Sequence, residues 1–457
     1  MRVMFCVFPA PAHFLPLVSY AWALQAAGHE VRIAAPSGQD TGITSVDFDR
    51  VVTATGLIPA VCGEPEPLAV HDRGHPGWLD LLPTEAETAR FSEVLDLDAA
   101  GLHVWEMFHC FQVLAARDYH PPKPRQDVLA LVDFAVEWRP DLVLWDPWLP
   151  GGAVAARVSG AAHARVLNAP DYSGFVLDRI ARRRAEGVDV PEDPLTATVR
   201  PLAEHFGLTL DEELLLGQWT VDPFPDGLRL PSRVPSVSVR NVPFNGAAPA
   251  PDWLHAPSDR PRIGLSLGVS VRKFMKGDWG RTAKLLDAVA DLDVDVIATL
   301  DKNQLADRPA GVPSNVRAVD YIPLNQLLPT CDALIHHGST GTFASATAFG
   351  VPQLICDTDE PVRCYGKPTE DGIEWRFDCQ KQLTATETAE VVTRHGAGFR
   401  IDHQKQSAEE IRDRVRRVLE EPSHAEGAAA LRRGWLATPG PTEIVGVLER
   451  LTAENRA

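Results

Sequence analysis

Cysteine pairs and long apolar runs, which identify several protein classes, are missing from this chain. Its seven cysteines among 457 residues are scattered, odd in number and form no Cys-x-x-Cys pair. This spacing argues against a disulfide framework or a zinc site, and it favours a protein of the reducing cytoplasm. No apolar run is long enough to cross a bilayer, and the apolar start at residues 3–8 is too short for a secretion signal. We therefore expect a cytoplasmic protein without a membrane span.

Blocks of lysine and arginine are missing as well. The chain has 62 acidic and 44 basic residues, which gives a formal net charge of -18. Because no basic block is present to neutralise phosphates, we expect no nucleic-acid partner. The length predicts two or three domains, each large enough to bury its own core.

Apolar strands alternate with helices in both halves of the chain. Residues 3–8 have the continuous apolar character of a buried parallel strand, and a helix at 15–27 and a strand at 30–35 follow. Residues 51–67 look like a further strand and loop. A second series starts at residue 262, after a proline-dense stretch that disfavours regular helix or central strand.

This alternation predicts an α/β protein with two Rossmann-like open parallel-sheet domains facing a cleft. The predicted first domain spans residues 1–225, the linker 226–260 and the second domain 261–440. The last helix, within residues 442–457, is expected to pack back on the first domain.

A strand–loop–helix segment in the second half carries the most specific chemistry. The loop reads His-His-Gly-Ser-Thr-Gly-Thr over residues 336–342, and the Ala-rich helical run after it ends at Gly350. The free N–H groups and positive dipole of a helix N-terminus suit an anion. Thr340 and Thr342 can add hydroxyl donors, and His337 can add a donor or a full charge. Neither a Walker loop nor a Gly-x-Gly-x-x-Gly pattern is present. The loop therefore predicts a diphosphate site, while a polar turn that merely caps a helix is the alternative.

His13 stands in the loop after the first predicted strand, where open α/β sheets bind their ligands. A functional role and a surface or capping role are both open on the sequence alone. The predicted helical segment 79–131 is rich in aromatic residues and histidines. Packing on the sheet is its simpler interpretation, and an acceptor pocket or a partner-binding face is the alternative.

Several segments together resemble the GT-B glycosyltransferases. The resemblance covers nearly the whole chain and is closest to the actinobacterial transferases that use TDP-deoxysugars in macrolide and aromatic-polyketide antibiotic pathways. These include a subgroup that needs an auxiliary activator protein. The segments that carry the resemblance are Ala21–Val31, Trp138–Val143, Gly217–Pro223, Val242–Gly246, Pro251–Leu254, Tyr321–Cys331, Gly350–Gln353 and Gly396–Gly398.

The resemblance implies an inverting transferase that moves a deoxysugar to a hydroxyl of a polyketide aglycone. His13 would be the general base that removes the proton of this hydroxyl as its oxygen attacks C1 of the sugar, because the pKa of histidine lies near working pH. The first domain would bind the acceptor and the second the nucleotide sugar. No metal and no cofactor are implied, since the TDP-sugar is a substrate.

The resemblance also implies a set of donor-binding residues. Gly268 and Ser270 would close over the phosphates, Tyr321 and Ile322 would flank the thymine, and Asp359 or Glu360 would contact sugar hydroxyls. The diphosphate, and the charge that grows on it as it leaves, would be held by the loop. The loop residues with this implied role are His337, Ser339, Thr340, Gly341 and Thr342.

Three features depart from the family pattern. Ser339 stands where the family usually has a second glycine, the segment after Gln353 is about one residue short, and residues 364–385 have no recognised counterpart. Two kinds of partner are possible expectations: a cytochrome-like activator, for which segment 79–131 is the candidate binding face, and a second copy of the chain in a homodimer. Transfer to a lipid or a phenolic acceptor is one alternative function. A catalytically silent nucleotide-sugar-binding protein or activator scaffold is another, against which His13 argues.

Overall fold

A computed structural model describes residues 1–37, 45, 47–64, 79–80, 83–119, 124–269, 272, 281–306, 308, 311–360, 364–369, 372–377 and 381–456. Its strands are β1 Arg2–Cys6, β2 Glu30–Pro36, β3 Pro59–Cys62, β4 Leu79–Asp80, β5 Leu142–Trp145, β6 Ala162–Val166, β7 Trp219–Asp222, β8 Ser236–Ser238, β9 Arg262–Ser266, β10 Asp295–Thr299, β11 Val316–Val319, β12 Ala333–His336, β13 Gln353–Asp357, β14 Cys364–Thr369, β15 Gly372–Phe377 and β16 Gly398–Asp402. Its helices are α1 Pro11–Phe14, α2 Val18–Ala26, α3 Phe48–Thr53, α4 Glu85–Leu95, α5 Ala99–Tyr119, α6 Gln126–Trp138, α7 Gly151–Ser159, α8 Tyr172–Ala185, α9 Pro194–His205, α10 Glu212–Leu216, α11 Thr282–Val289, α12 Leu324–Leu327, α13 Thr340–Phe349, α14 Ala385–Arg394, α15 Ala408–Glu420, α16 Pro422–Ala437 and α17 Val445–Asn455.

The chain forms two compact units. The N-terminal unit comprises Met1–Val239, Arg363–Arg376 and Pro439–Ala457, and the C-terminal unit comprises Arg240–Val362 and Phe377–Thr438. Helix α17 lies in the N-terminal unit, where Gln218 Nε2 donates to the carbonyl oxygen of Asn455 over 3.0 Å. Among the described residues, no helix is both long enough and apolar enough to cross a membrane.

Each unit is built on one parallel sheet. The strand order is β3-β2-β1-β5-β6-β7-β8 in the N-terminal unit and β11-β10-β9-β12-β13-β16 in the C-terminal unit. In the N-terminal sheet, β2 and β3 lie on one side of β1, and β5 to β8 lie on its other side. In the C-terminal sheet, β10 and β11 lie on one side of β9, and β12, β13 and β16 lie on its other side. This reversal makes a switch point between β1 and β5, and another between β9 and β12. Open α/β sheets bind ligands in the crevice outside the carboxyl ends of the strands at such points.

The inner strands are apolar because helices cover both sheet faces. Residues Val3 to Cys6 of β1 are fully buried. In the C-terminal unit, Ile263 and Val296 of the sheet pack in one core with Leu285 of α11 and Val415 of α15. The two predicted Rossmann-like parallel sheets are confirmed.

Two local predictions are wrong. Residues 51–67 do not start as a strand: helix α3 ends at Thr53, and only Pro59–Cys62 form β3. His13 does not lie in a loop, because Pro11 opens the one-turn helix α1. Proline is tolerated at the first helical position, since its missing N–H has no partner there in any case.

Part of the segment without a family counterpart forms two strands. Strands β14 and β15 build a three-stranded sheet in the order β15-β14-β4, with β14 antiparallel to β4. These strands group with the N-terminal unit, although the sequence on both sides of them belongs to the C-terminal unit.

Candidate active site

The switch point of the N-terminal unit carries a histidine and an aspartate. His13 follows β1, and Asp146 follows β5 directly. The Nδ1 atom of His13 lies 2.6 Å from Asp146 Oδ2. Because β1 and β5 are neighbours in the sheet, two residues far apart in sequence come together at one edge.

The surroundings of Asp146 fix its orientation. Asp146 Oδ1 accepts hydrogen bonds from the main-chain N–H of Trp148 and from Nδ2 of Asn168, both at 2.9 Å. Asn168 follows the next strand, β6. Both carboxylate oxygens of Asp146 are therefore engaged, one by the histidine and one by the scaffold.

This arrangement decides which nitrogen of His13 can act as a base. An ionised carboxylate only accepts hydrogen bonds, so Nδ1 of His13 carries the proton that points at Asp146. Asn168 Nδ2 also lies 2.8 Å from this Nδ1, but a protonated Nδ1 cannot accept from it. The second nitrogen, Nε2, keeps its lone pair. The side chain of His13 is 11% exposed, so its ring is largely shielded.

Aromatic rings surround His13. Its ring centre lies 5.0 Å from that of Phe8 and 4.8 Å from that of Trp148. Phe111 of α5 packs on Trp148 at 5.3 Å and on Tyr172 at 5.4 Å. These rings make the environment of the imidazole apolar.

The described part of the aromatic-rich segment 79–131 shows ring packing, and its alternative role as an acceptor pocket or partner-binding face stays a prediction. Trp105 and Phe108 are fully buried and pack as core. Phe111 instead reaches the rings beside His13.

The switch point of the C-terminal unit carries the predicted diphosphate loop. Gly268 follows β9, and residues 337–339 connect β12 to α13. Gly338 has φ +83°, and a Cβ there would lie 2.7 Å from the Cα of Ala385. Only glycine fits at this position, because an L-residue would be strained and would also clash.

Ser339 does not need the conformational freedom of the glycine that it replaces. Its φ is -68°, which every L-residue adopts, and it is the N-cap of α13. Its Oγ donates to Thr342 Oγ1 over 3.0 Å and accepts a long contact of 3.4 Å from the Thr342 main-chain N–H. The substitution thus keeps the loop and adds a hydroxyl to it.

The N-terminus of α13 is open to a ligand. Gly341 is exposed, and a Cβ placed on it would meet no atom within 4 Å. The first turn of the helix holds no acidic residue. The positive end of the helix dipole is therefore not neutralised by the first turn itself, as an anion site requires.

His337 closes the site from the side of β9. A Cβ on Gly268, which has φ +82°, would lie 2.6 Å from His337 Nε2, so the imidazole packs directly on this glycine. Burial, followed by the charges of Arg281 and His336, lowers the pKa of His337 well below its ordinary value. The lowered pKa favours the neutral ring, which offers a hydrogen-bond donor. Among the described residues, none hydrogen-bonds to its Nδ1.

Buried polar side chains support the loop from behind. The Gly338 N–H donates to His336 Nδ1 over 3.1 Å, and His336 Nε2 lies 3.0 Å from Gln353 Oε1. On the other side, Thr388 Oγ1 donates to the Gly338 carbonyl over 2.9 Å. Burial lowers the pKa of His336 to about 4, so its ring is neutral and holds this pattern. Gln353 therefore has a definite role in the Gly350–Gln353 motif.

The remaining predicted donor residues lie along the same carboxyl edge of the sheet. Tyr321 and Ile322 follow β11; Ile322 is buried, whereas Tyr321 is 40% exposed. Asp359 and Glu360 follow β13 on the opposite side of the loop. Ser270 lies outside the described residues.

The two acidic residues after β13 are already engaged within the unit. Asp359 pairs with Arg400 Nη2 at 2.7 Å and with Lys405, and hydrogen bonds from Lys405 and Arg400 lower the pKa of its carboxyl to about 2. Glu360 Oε2 accepts from Gln404 Nε2 over 3.3 Å. A sugar hydroxyl here would have to share these carboxylates with basic or amide side chains. Within the part of the chain that the structure describes, no group of three or more His, Cys, Asp or Glu side chains could hold a metal ion.

The site contains residues that sequence reasoning missed. The sequence assigns no role to Asp146, Asn168 or Thr388, and it marks Gln353 only as part of the Gly350–Gln353 motif. One signal could have found Asp146, because it follows an apolar strand directly, at the same edge of the fold as His13.

Solved structures of two glycosyltransferases are similar to this structure. Over 99% of its length the chain matches the solved structure of the spinosyn forosaminyltransferase SpnP, with 33% identity and a TM-score of 0.73 over 99% of that chain. It also matches the glycosyltransferase VinC in complex with dTDP, with 30% identity and a TM-score of 0.76, over 99% of this chain and all of that one. Two doubly wound units with polar sites at their switch points, together with this likeness, define a GT-B glycosyltransferase.

Sequence profiles identify the family of the chain within the GT-B glycosyltransferases. The profile of the erythromycin biosynthesis protein CIII-like N-terminal domain matches residues 22–268, and that of the corresponding C-terminal domain matches residues 283–370 and 379–451. The chain belongs to this EryCIII-like family of antibiotic-biosynthesis glycosyltransferases. The second match covers residues 364–370 and 379–385 as well, so of the segment 364–385 only residues 371–378 fall outside the family model.

Characterised relatives match the full length of the chain. The aclacinomycin-T 2-deoxy-L-fucose transferase of Streptomyces galilaeus is 40% identical over all of this chain and 97% of its own length. The 10-deoxymethynolide desosaminyltransferase of Streptomyces venezuelae is 38% identical over all of this chain and 98% of its own. The protein is thus an enzyme that transfers a sugar.

Proposed function

We propose that this enzyme transfers a deoxysugar from a TDP-sugar to a hydroxyl group of a polyketide aglycone, with inversion at C1 of the sugar. The observation that carries the mechanism is the 2.6 Å contact between His13 Nδ1 and Asp146 Oδ2, which leaves His13 Nε2 as a base. The names of the relatives support the substrate classes. They include a 2-deoxy-L-fucose transferase for aclacinomycin T, a desosaminyltransferase for 10-deoxymethynolide and a TDP-daunosamine transferase.

The N-terminal unit supplies the base in this mechanism. The proton of the acceptor hydroxyl moves to His13 Nε2 as the acceptor oxygen forms a bond to C1 of the sugar. The imidazolium that results is stabilised by Asp146, which accepts from Nδ1 throughout. Phe8 and Trp148 keep the imidazole in place and exclude water from its faces.

The C-terminal unit stabilises the leaving group. As the bond between C1 and the diphosphate oxygen breaks, TDP departs with the electron pair. The N–H groups at the start of α13, the hydroxyls of Thr340 and Thr342 and the neutral His337 ring meet the growing negative charge. In-line attack opposite the leaving diphosphate inverts the anomeric centre.

The alternative of a catalytically silent binding protein has no use for a base. A histidine that is oriented by a buried carboxylate, and that has one nitrogen free, is the arrangement of a general base. It favours the enzyme.

Partners and location are part of the proposal. Cys6, Cys62, Cys331 and Cys356 take part in no disulfide, which is typical of the reducing cytoplasm. A cytochrome-like activator and a homodimer stay predictions from the resemblance. Light scattering of the purified protein, with and without a candidate activator, measures both.

The decisive test is transfer itself. Purified protein is incubated with a panel of TDP-deoxysugars and polyketide aglycones, each with and without a candidate activator. We expect a mass gain of one deoxysugar residue on the aglycone, and an NMR spectrum that shows the anomeric configuration opposite to that of the donor. A product that retains the donor configuration would contradict the mechanism, and binding of TDP-sugars without any transfer would favour the silent alternative.

A further inference from the structure

Asn245 lies before the second sheet and is in contact with three parts of the donor-binding edge. Its Oδ1 accepts from the main-chain N–H of Asn325 over 2.9 Å, and its Nδ2 donates to Ser345 Oγ over 3.3 Å. Its main-chain carbonyl accepts a hydrogen bond from the Tyr321 hydroxyl. The orientation of the amide is set by these partners, because a main-chain N–H can only donate.

Each contact leads to a different side of the candidate donor site. Tyr321 follows β11, and Asn325 lies in the first turn of α12. Ser345 lies on α13, and its Oγ donates in turn to the carbonyl of Gly341 over 2.8 Å. Asn245 thus connects the predicted base-binding residue to the helix that opens at the predicted diphosphate site.

The neighbouring residue lies beside the Tyr321 hydroxyl. Gly246 has φ +84°, a backbone conformation that favours glycine, and a Cβ built on it would make an ordinary contact of 3.5 Å with the Tyr321 hydroxyl oxygen. The ring of Tyr321 remains 40% exposed although its hydroxyl is held. An aromatic ring that is fixed at one end and open on its surface is a ready stacking platform for a planar base.

We propose that Asn245 is a positioning residue for the nucleotide end of the donor. Its main-chain carbonyl anchors Tyr321, and its amide fixes that carbonyl relative to the first turn of α12 and to α13. Because this arrangement exists before the ligand arrives, it removes part of the ordering cost of binding TDP. This inference rests on the proposed function, because it takes the ring of Tyr321 as the thymine platform and the start of α13 as the diphosphate site.

The segment around Asn245 is held independently of this residue. Trp435 Nε1 donates to the carbonyl of Asn241 over 2.8 Å, and Gln326 Nε2 donates to that of Ala248 over 2.9 Å. Leu254 is fully buried in a small cluster with Ile322. The loss of the Asn245 amide should therefore leave the segment folded, which separates positioning from a purely structural role.

The test compares two variants with a matched control. Asn245→Ala removes the amide contacts, and Tyr321→Phe removes the hydroxyl anchor but keeps the ring that would stack on thymine. Asn315→Ala is the control. Asn315 Nδ2 also donates to main-chain carbonyls, those of Val289 and Leu292. However, Asn315 precedes β11 and so lies at the amino end of this strand, whereas Tyr321 lies beyond its carboxyl end. Calorimetry measures the affinity for TDP, TMP and thymidine, steady-state kinetics separate the donor KM from the acceptor KM, and thermal unfolding monitors the fold.

We expect each of the two variants to bind TDP roughly tenfold more weakly than the wild type. The donor KM should rise by a similar factor, and the acceptor KM should not change. We also expect their double mutant to lose less than the product of the single effects, because both act on one platform. Asn315→Ala should bind TDP as the wild type does. If Asn245→Ala unfolds, Tyr321→Phe decides alone.

Two results would overturn the inference. One is wild-type TDP affinity in a folded Asn245→Ala and in Tyr321→Phe; the other is an equal loss in Asn315→Ala. A wild-type protein that binds none of the thymidine nucleotides would instead refute the proposed function, and this inference with it.

Discussion

His13 and Asp146 are separated by 133 positions in the sequence, yet His13 Nδ1 and Asp146 Oδ2 lie 2.6 Å apart. The two residues follow neighbouring parallel strands at the point where the strand order reverses. The contact directs one imidazole nitrogen to the carboxylate and leaves the other for an acceptor hydroxyl. The catalytic assignment therefore depends on a pair of residues and not on the histidine alone.

Asp146→Asn should slow transfer without weakening donor binding. The uncharged amide stabilises an imidazolium less than the carboxylate does, and its NH2 group can face His13 Nδ1 and favour the wrong tautomer, so we expect kcat to fall by about 10²–10⁴-fold. TDP affinity, measured by calorimetry, should not change. Asp133→Asn, at an exposed position of α6, is the control. A folded Asp146→Asn with the wild-type rate would show that the pair is structural.

Two glycines of the diphosphate loop should respond differently to alanine. Gly338→Ala forces a left-handed residue into contact with Ala385, so we expect a loss of about 1–3 kcal/mol in the free energy of unfolding, together with loss of TDP binding. Gly341→Ala lies in the first turn of α13 and meets no neighbour, so its stability should be equal or slightly higher. Its new methyl group would stand where the diphosphate approaches, and TDP affinity should fall.

Chemical denaturation and calorimetry distinguish these two cases. If Gly341→Ala bound TDP as tightly as the wild type, the diphosphate would not lie against the start of α13. If Gly338→Ala were as stable as the wild type, the backbone strain assigned to this loop would be absent.

The buried His336 should make the protein less stable in mild acid. Burial lowers its pKa from about 6.5 to about 4, so between these values the unfolded chain binds a proton that the folded chain does not. Stability from this group is complete above about pH 6.5 and declines as pH falls toward 4. The total loss is up to roughly 3 kcal/mol.

Urea unfolding at pH 7, 5.5 and 4.5 measures this effect. His336→Gln should show a shallower decline in the free energy of unfolding than the wild type, whereas His395→Gln, at an exposed position, should follow the wild type. Parallel curves for wild type and His336→Gln would refute the assignment.

Arg272→Lys should weaken donor binding. The Arg272 guanidinium donates to the carbonyls of Gly268 at 3.2 Å and of Thr299 and Asp320 at 2.7 Å. These carbonyls lie at the carboxyl ends of β9, β10 and β11, and a lysine ammonium cannot span all three. We expect TDP affinity to fall by about tenfold.

Arg412→Lys is the matched control for this substitution. Arg412 also donates to main-chain carbonyls, those of Asp287 and Ala288, but these lie in the last turns of α11. Calorimetry with TDP should show no change in this variant. Equal losses in the two variants would indicate a general effect of replacing an arginine that binds main-chain carbonyls.

The sequence predicted those parts of the site that depend on a single strand end. The loop at residues 336–342 was predicted because strand, glycines and helix follow one another without interruption. The position of His13 after an apolar strand indicates a functional residue. The short helix that contains His13 is not predictable, because the prolines around it are typical of a turn.

Features that depend on packing between distant segments were not predictable. Asp146 acquires its role only from the order of strands in the sheet, which no local pattern encodes. Asp359 pairs with Arg400 of the neighbouring strand β16 and with Lys405 of the turn after this strand. The pairing of β14 with β4 joins segments that show no common pattern in the sequence.

The rate of sugar transfer by His13→Ala tests the catalytic assignment most directly. The measurement is a single-turnover assay with saturating TDP-deoxysugar and aglycone, with TDP affinity determined separately and His205→Ala, an exposed histidine of α9, as the control. We predict that His13→Ala binds TDP normally and transfers sugar at least about 10²-fold more slowly than the wild type. An unchanged transfer rate in a folded His13→Ala would contradict the role of this histidine as the base.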